Sequence, residues 1–188
     1  MHSSVINSFS CLITISFATM AQSTITPSNS RKDVHKNLST SCNEFTKDFN
    51  KELALVSEGN IVSSPLSVHM ILSLLSHGAD SETLDELTTG LCHLDKNSIE
   101  EGYTSLIAVL NELKDVKLYI ANALYVQDGL ELLTEFLTIG TDVYQSVISK
   151  LDFKRNVDAS ERINKWVKET TNDKISDLVT SSKLLCTT

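Results

Sequence analysis

The sequence predicts an α+β domain, with helices packed on part of a larger mixed β-sheet. Three observations carry that expectation. Residues 66–75 hold Leu66, Val68, Met70, Ile71, Leu72, Leu74 and Leu75, apolar on every side of a helix, and a helix apolar all round is a buried one. Residues 121–126 (Ala-Asn-Ala-Leu-Tyr-Val) are apolar at both alternating sets of positions, as in a strand inside a sheet. Breakers are scarce: 6 Gly and 2 Pro in 188 residues, with 41% hydrophobic and 21% charged, a globular composition.

The first charged residue is Arg31, and Phe9 to Ala21 is mostly apolar with small residues Ala21 and Ser23 behind it, so residues 1–23 read as a secretory leader. That places the chain in the extracellular space and makes Asn37, in Asn37-Leu38-Ser39, a glycosylation acceptor. Residues 24–40 are polar and rich in Ser and Thr, a flexible arm before a domain over 41–179. Phe45, Phe49, Leu53 and Val56 form one helical stripe, which Gly59 ends. Asn60 to Ser63 suits a buried strand end. Ser64 then caps a second helix with Pro65 at its first position, and Gly78 stops it. Thr83 with Glu86, and Ser98 with Glu101, have the spacing of capping boxes for two further helices. Val116, Leu118 and Ile120 alternate with Lys117 and Tyr119 and lead into the strand at 121–126. Asp128-Gly129 turns the chain; a helix carries Leu133, Phe136, Leu137 and Tyr144; residues 147–153 read as a strand. Ala159, Ile163, Trp166, Val167 and Thr170 mark a last helix, and residues 180–188 form a divergent tail with no pattern.

Charge and motif spacing exclude several functions. The net charge is −8 and no Lys/Arg run offers a phosphate-binding surface, so nucleic acid is not expected as a partner. No apolar run reaches the roughly 20 residues that span a bilayer, so membrane insertion is not expected either. Four cysteines (Cys11, Cys42, Cys92, Cys186) become three if the leader is removed, which argues against a complete disulfide framework and for buried or free thiols. No catalytic residue, metal or cofactor is expected: there is no Gly-x-Ser-x-Gly elbow and no Gly-rich phosphate loop. His69 and His77 also miss the four-residue step of a metal pair.

Four blocks, in order along the chain, resemble the serpins, the family of serine-protease inhibitors. Asn60 to Ser67 (Asn-Ile-Val-Ser-Ser-Pro-Leu-Ser) is similar to the family's short strand and second helix start. Gly78-Ala79 with Thr83 and Glu86-Leu87 resembles the opening of the third helix. Ala121 to Gln127 resembles a strand of the large sheet A, with Phe136-Leu137, Tyr144 and Asp152-Phe153 at family spacing after it. Ile163 to Val167, then Thr170 or Thr171 and Lys174-Ile175, resembles the helix that crosses that sheet. Ser81 departs from a usual Gly, Ser146-Val147 from a usual Ala-Glu, and Asp173 from a usual Gly or Asn.

The resemblance implies an incomplete serpin-like fold, the N-terminal part of a domain whose reactive loop is absent from this sequence. It implies serine-type endopeptidase inhibition as the family function: a bait bond is attacked, the protease becomes acyl-linked, and the cut loop inserts into sheet A. It places Asn60, Ser64 and Ser67 at the shutter where that sheet opens. It places Asn122 on a sheet strand and Trp166 on the covering helix. For Ser64 and Ser67, helix capping and close packing are equally sufficient explanations, and core packing explains Trp166. A serine protease is the implied partner once the missing half is supplied. The other reading is a non-inhibitory binding or regulatory fragment, docking onto a full-length relative, or a truncated product without function. Heparin is not expected at the helix after Ser98, where Lys114 faces Glu100, Glu101 and Glu112. Without a neighbour, the 116–126 strand would present an apolar edge and drive self-association.

Overall fold

The computed structural model describes residues 13–17, 29–93, 96–111 and 121–184. Among the described residues, three strands form one sheet in the order β1 (Ile13–Phe17), β2 (Ala121–Gln127), β3 (Ser146–Leu151). Six helices occur among the described residues. Four come before β2: α1 (Asn29–Val56), α2 (Pro65–Ser76), α3 (Ser81–Gly90) and α4 (Lys96–Asn111). Helix α5 (Thr134–Asp142) connects β2 to β3, and α6 (Asn156–Thr170) comes after them, with a last 3-10 turn at Ser181–Leu184.

Strand β2 is the organising element. It pairs antiparallel with β1, from Ile13 opposite Tyr125 to Phe17 opposite Ala121. It pairs parallel with β3, from Asn122 opposite Ser146 to Gln127 opposite Leu151, and α5 supplies the crossover that parallel neighbours require. Residues 122–126 are all buried. Their period of two sends alternate side chains to two cores. Leu124 and Val126 join Met70 and Leu74 of α2, Ile99, Tyr103 and Ile107 of α4, Phe136 of α5, and Tyr144. Ala123 and Tyr125 join Leu151, Phe153, and Ala159, Ile163 and Val167 of α6. The domain is thus three layers: helices α1, α2, α4 and α5, then the sheet, then α6.

Several expectations need correction. The polar stretch 24–40 is helical from Asn29 onward. Leu38 is buried against α4, where Gly102 leaves room: a Cβ there would lie 2.9 Å from Leu38 Cβ. His35 Nε2 reaches Ser105 Oγ at 3.1 Å. One inward leucine in a polar run is too sparse a stripe to reveal this. Asn60 to Ser63 is no buried strand end: all four residues are exposed, Val62 almost completely, and none joins a strand. Neither capping box forms. Helix α3 begins at Ser81 with Asp80 accepting from the Ser81 N–H at 2.8 Å, and α4 begins at Lys96, so Thr83 and Ser98 lie inside their helices. In the segment after Thr180, expected as a divergent tail with no pattern, Ser181–Leu184 forms a 3-10 turn and Leu184 is buried in the second core. A four-residue turn is too short to show periodicity. The 112–120 stretch of the expected strand, with Glu112 and Lys114, lies outside the described residues, as do Cys11 and Cys186. Cys42 and Cys92 are free thiols.

The apolar run expected to be a leader supplies β1, so the edge of β2 expected to lie open is paired in this chain.

Two of the departures from the family pattern fall on left-handed backbone. Ser81 has φ 51° and Asp173 φ 60°. A side chain costs about 1–2 kcal/mol in that region, which Gly avoids at the expense of a looser unfolded chain. Ser81→Gly should therefore raise stability by about 0.5–1 kcal/mol. Asp173→Gly should gain less, because Asp tolerates this region better than Ser. Urea midpoints with unchanged slopes would register both gains.

Candidate functional site

Helix α2 positions two of the residues expected to matter, Ser67 within it and Ser64 at its start. Pro65 opens it, and Ser64 precedes it with its carbonyl accepting from the N–H groups of Ser67 (3.0 Å) and Val68 (3.2 Å). The Ser64 side chain makes no cap. Its Oγ pairs instead with Oγ of buried Ser67 at 2.9 Å. One turn further on, Asn122 Nδ2 of β2 donates to Met70 Sδ at 2.8 Å, so helix and sheet strand are joined by a polar contact inside the core. Asn60 does not join them; it is exposed. Trp166 is half-buried on α6, edge-on to Tyr125 of β2 with centroids 6.4 Å apart. Asn37 is half-buried within α1.

The larger arrangement is a buried polar seam that sequence reasoning missed. His69, in the middle of α2, is fully buried, and a buried ring nitrogen without a partner costs stability. Ser41 Oγ of α1 donates to Leu91 O at 2.6 Å, which commits the hydroxyl proton. His69 Nε2, 2.9 Å from Ser41 Oγ and 3.1 Å from Leu91 O, must then be the donor nitrogen. That leaves Nδ1 as acceptor from the Tyr103 hydroxyl of α4. Ser73 Oγ lies 3.4 Å from the same Nδ1 and 3.0 Å from His93 Nε2. Cys42 Sγ touches the Tyr103 hydroxyl at 3.9 Å. At the end of α2, His77 Nε2 pairs with the Tyr144 hydroxyl at 3.1 Å, and its Nδ1 lies 3.5 Å from Glu100.

Burial sets the electrostatics. It pushes His69 below its usual value, against the opposing pull of the Leu91 carbonyl. It takes His93 down to about 4, with the neighbouring His69 adding to the effect. It raises the Cys42 thiol to about 11, far from a reactive thiolate, and raises Tyr103 and Tyr144 as well. Ser41, His69 and Tyr103 are each completely inaccessible, so this Ser–His–Tyr arrangement has no route to a substrate. It is a structural network tying α1, α2, α4 and the 91–93 corner together. The signal that foretold it was His69 itself, a titratable residue in an otherwise apolar helix alongside Ser67, Ser73 and Ser76.

These features define the class: an α+β scaffold whose central strand is covered on both faces, with buried polar contacts linking helix to sheet. Residues 40–187 match the family described as Serpin (serine protease inhibitor). The chain belongs to the serpin family. It is 35% identical over 175 residues to antitrypsin of Bombyx mori, covering 93% of this chain and 43% of that protein. It is 37% identical to antichymotrypsin-2 of the same species, over 66% of this chain and 33% of the other. Among solved structures, Serpin48 of the insect Tenebrio molitor superposes with a TM-score of 0.71 at 28% identity, over 78% of this chain and 40% of that one. The chain spans less than half the length of these relatives.

Proposed function

We propose that these 188 residues form part of the scaffold of a serine-protease inhibitor, and that on their own they do not trap a protease. The observation that carries this reading is the match over residues 40–187 to a family of inhibitors, while the chain covers only 43% of the antitrypsin it resembles. The names of two relatives, an antitrypsin and an antichymotrypsin, point to serine proteases as the partner class. In this reading the chain contributes floor and hinge. The Asn122–Met70 contact lies where helix α2 meets the sheet, the Ser64–Ser67 pair lies at the start of the same helix, and small polar groups exchange partners at little cost when strands move. Trp166 and α6 cover the opposite face. The buried Ser–His pair supplies no catalytic site, since it faces only the core, and the family described as inhibitors is in keeping with a non-enzymatic role. Residues 1–23 act as a secretory leader, a reading that rests on the apolar run from Phe9 to Ala21 and on the small residues Ala21 and Ser23 at its end.

Incubation with trypsin-like, chymotrypsin-like and elastase-like enzymes tests the reading. The expected outcome is proteolysis or indifference, without a detergent-stable adduct on a denaturing gel. An adduct at the summed mass of chain and protease with any of the three would overturn it.

A further inference from the structure

Glu100, Glu101, Thr104 and Ser105 of α4, then Ala108 and Val109, follow one another at helical steps, so they share one face of the helix. Together with Val143, at the end of α5, they line a groove of about 460 Å³. Small-molecule sites run from about 300 to 1,000 Å³. Side chains tie the two walls together. Asn111 Nδ2 donates to Gln145 Oε1 at 3.3 Å. His77 Nδ1 lies 3.5 Å from Glu100, while its other ring nitrogen pairs with the Tyr144 hydroxyl. The lining offers two kinds of contact. Ala108, Val109 and Val143 give it an apolar stretch that is not fully buried. The two hydroxyls are already engaged: Thr104 Oγ1 donates to Glu100 O at 3.0 Å, and Ser105 Oγ pairs with His35 Nε2 at 3.1 Å. The side-chain polar groups left to a ligand are the two carboxylates. No Lys or Arg lines the groove, and the whole chain carries a net charge of −8, a field that draws cations. The described residues hold no group of three metal-ligating side chains, so a bare metal ion would lack the ligands it needs.

We propose that this groove between α4 and the 143–145 corner binds a small amphipathic organic cation, a protonated amine carried on an apolar tail. The ammonium meets Glu100 and Glu101, and the tail lies along Ala108, Val109 and Val143. At 1.5 Å of rise per residue, the path from Glu100 to Val109 is about 13 Å, room for a ring and a short alkyl linker. His77 holds Glu100 in place before the ligand arrives, which lowers the ordering cost of binding. An anion of the same shape would meet two like charges, and a neutral polyol would find both hydroxyls engaged. Both walls are built from this chain's own residues, and the site stands whether or not the chain traps a protease.

The test uses the full chain and three probes: phenylbutylamine, which has both charge and tail; phenylbutyrate, which keeps the tail and reverses the charge; and butylamine, which keeps the charge and lacks the ring. Binding is followed by calorimetry and by backbone amide chemical shifts. Phenylbutylamine should bind saturably at one site, with shifts confined to 100–109 and 141–145. Each of the other two probes should bind about tenfold more weakly or not at all. Glu101 and Ala108 are both exposed, so substitutions there leave the core intact. Glu101→Lys should weaken phenylbutylamine on the order of tenfold, and Ala108→Trp, which fills the groove, should abolish its binding. Glu86→Lys, the same reversal on α3 outside the groove, should leave affinity unchanged. Absence of saturable binding by phenylbutylamine would overturn the proposal, as would equal binding by phenylbutyrate or by butylamine. Shifts scattered over the surface, or a loss in Glu86→Lys equal to that in Glu101→Lys, would reduce the effect to general attraction by an acidic protein and overturn it too.

Discussion

His69→Ala is expected to cost about 3–5 kcal/mol, enough to unfold a domain of ordinary stability. The change opens a cavity in the middle of α2, where the ring is fully buried. It also removes the two ring nitrogens, leaving Ser41 Oγ with its bond to Leu91 O and the Tyr103 hydroxyl with its weak contact to Cys42 Sγ. Each buried group so weakened adds at most about 1–3 kcal/mol, and relaxation keeps the terms from summing in full. Urea denaturation followed by circular dichroism would measure the loss; a cost below about 1 kcal/mol would mean that the seam contributes little.

The same network sets a pH dependence. The fold holds His69 and His93 neutral, whereas the unfolded chain protonates each near 6.5. The unfolded state therefore binds more protons at mildly acid pH, and stability rises with pH through that range. The contribution is complete above about 6.5 and is lost as pH falls from there toward the His93 value of about 4. Protonated His69 would present a donor at Nδ1 to the Tyr103 hydroxyl, which must turn its own proton toward Cys42 Sγ, a weak acceptor. The His93 ring is partly open to solvent, so its share is on the order of 1–2 kcal/mol rather than the larger figure its full displacement implies. Urea midpoints at pH 7.5 and pH 5 should differ in that direction. A His93→Gln variant should narrow the difference.

Phe153→Ala is expected to cost about 3–5 kcal/mol, and Trp166→Ala about 1–2 kcal/mol, although Trp is the larger side chain. Phe153 is 2% exposed and fills the core between the sheet and α6. Trp166 is only partly buried and meets the core at the Tyr125 ring edge. The order tracks burial, not size. Circular dichroism serves both variants. Trp166, the single tryptophan, also reports on α6 by fluorescence in the Phe153 variant. Equal costs would mean that Trp166 anchors α6 more firmly than its partial burial implies.

Much of the architecture was legible because it rests on local periodicity. An apolar surround can mean only a buried helix, and α2 contributes buried residues from Ser67 to Ser76. A strand apolar on both faces can mean only an interior strand, and β2 supplies both cores. Pro65 set the start of α2 because its ring fixes the backbone angle there. The caps misled because a capping box is a statement of spacing: Asp80 did for α3 what Thr83 was expected to do. Ser81 and Asp173 could be named as departures, but only the backbone angles show that both carry the strain a glycine would relieve.

The sequence by itself determined the α+β class, the central helix, the central strand and the family, since each depends on residue pattern within one segment. Only the tertiary structure decided that residues 13–17 close the edge of β2, that Leu38 draws a polar stretch into α1, and that His69 binds Ser41 and Tyr103. Each of those is a contact between segments 28 or more residues apart, and chain order carries no signal for which distant backbone or polar group will satisfy another.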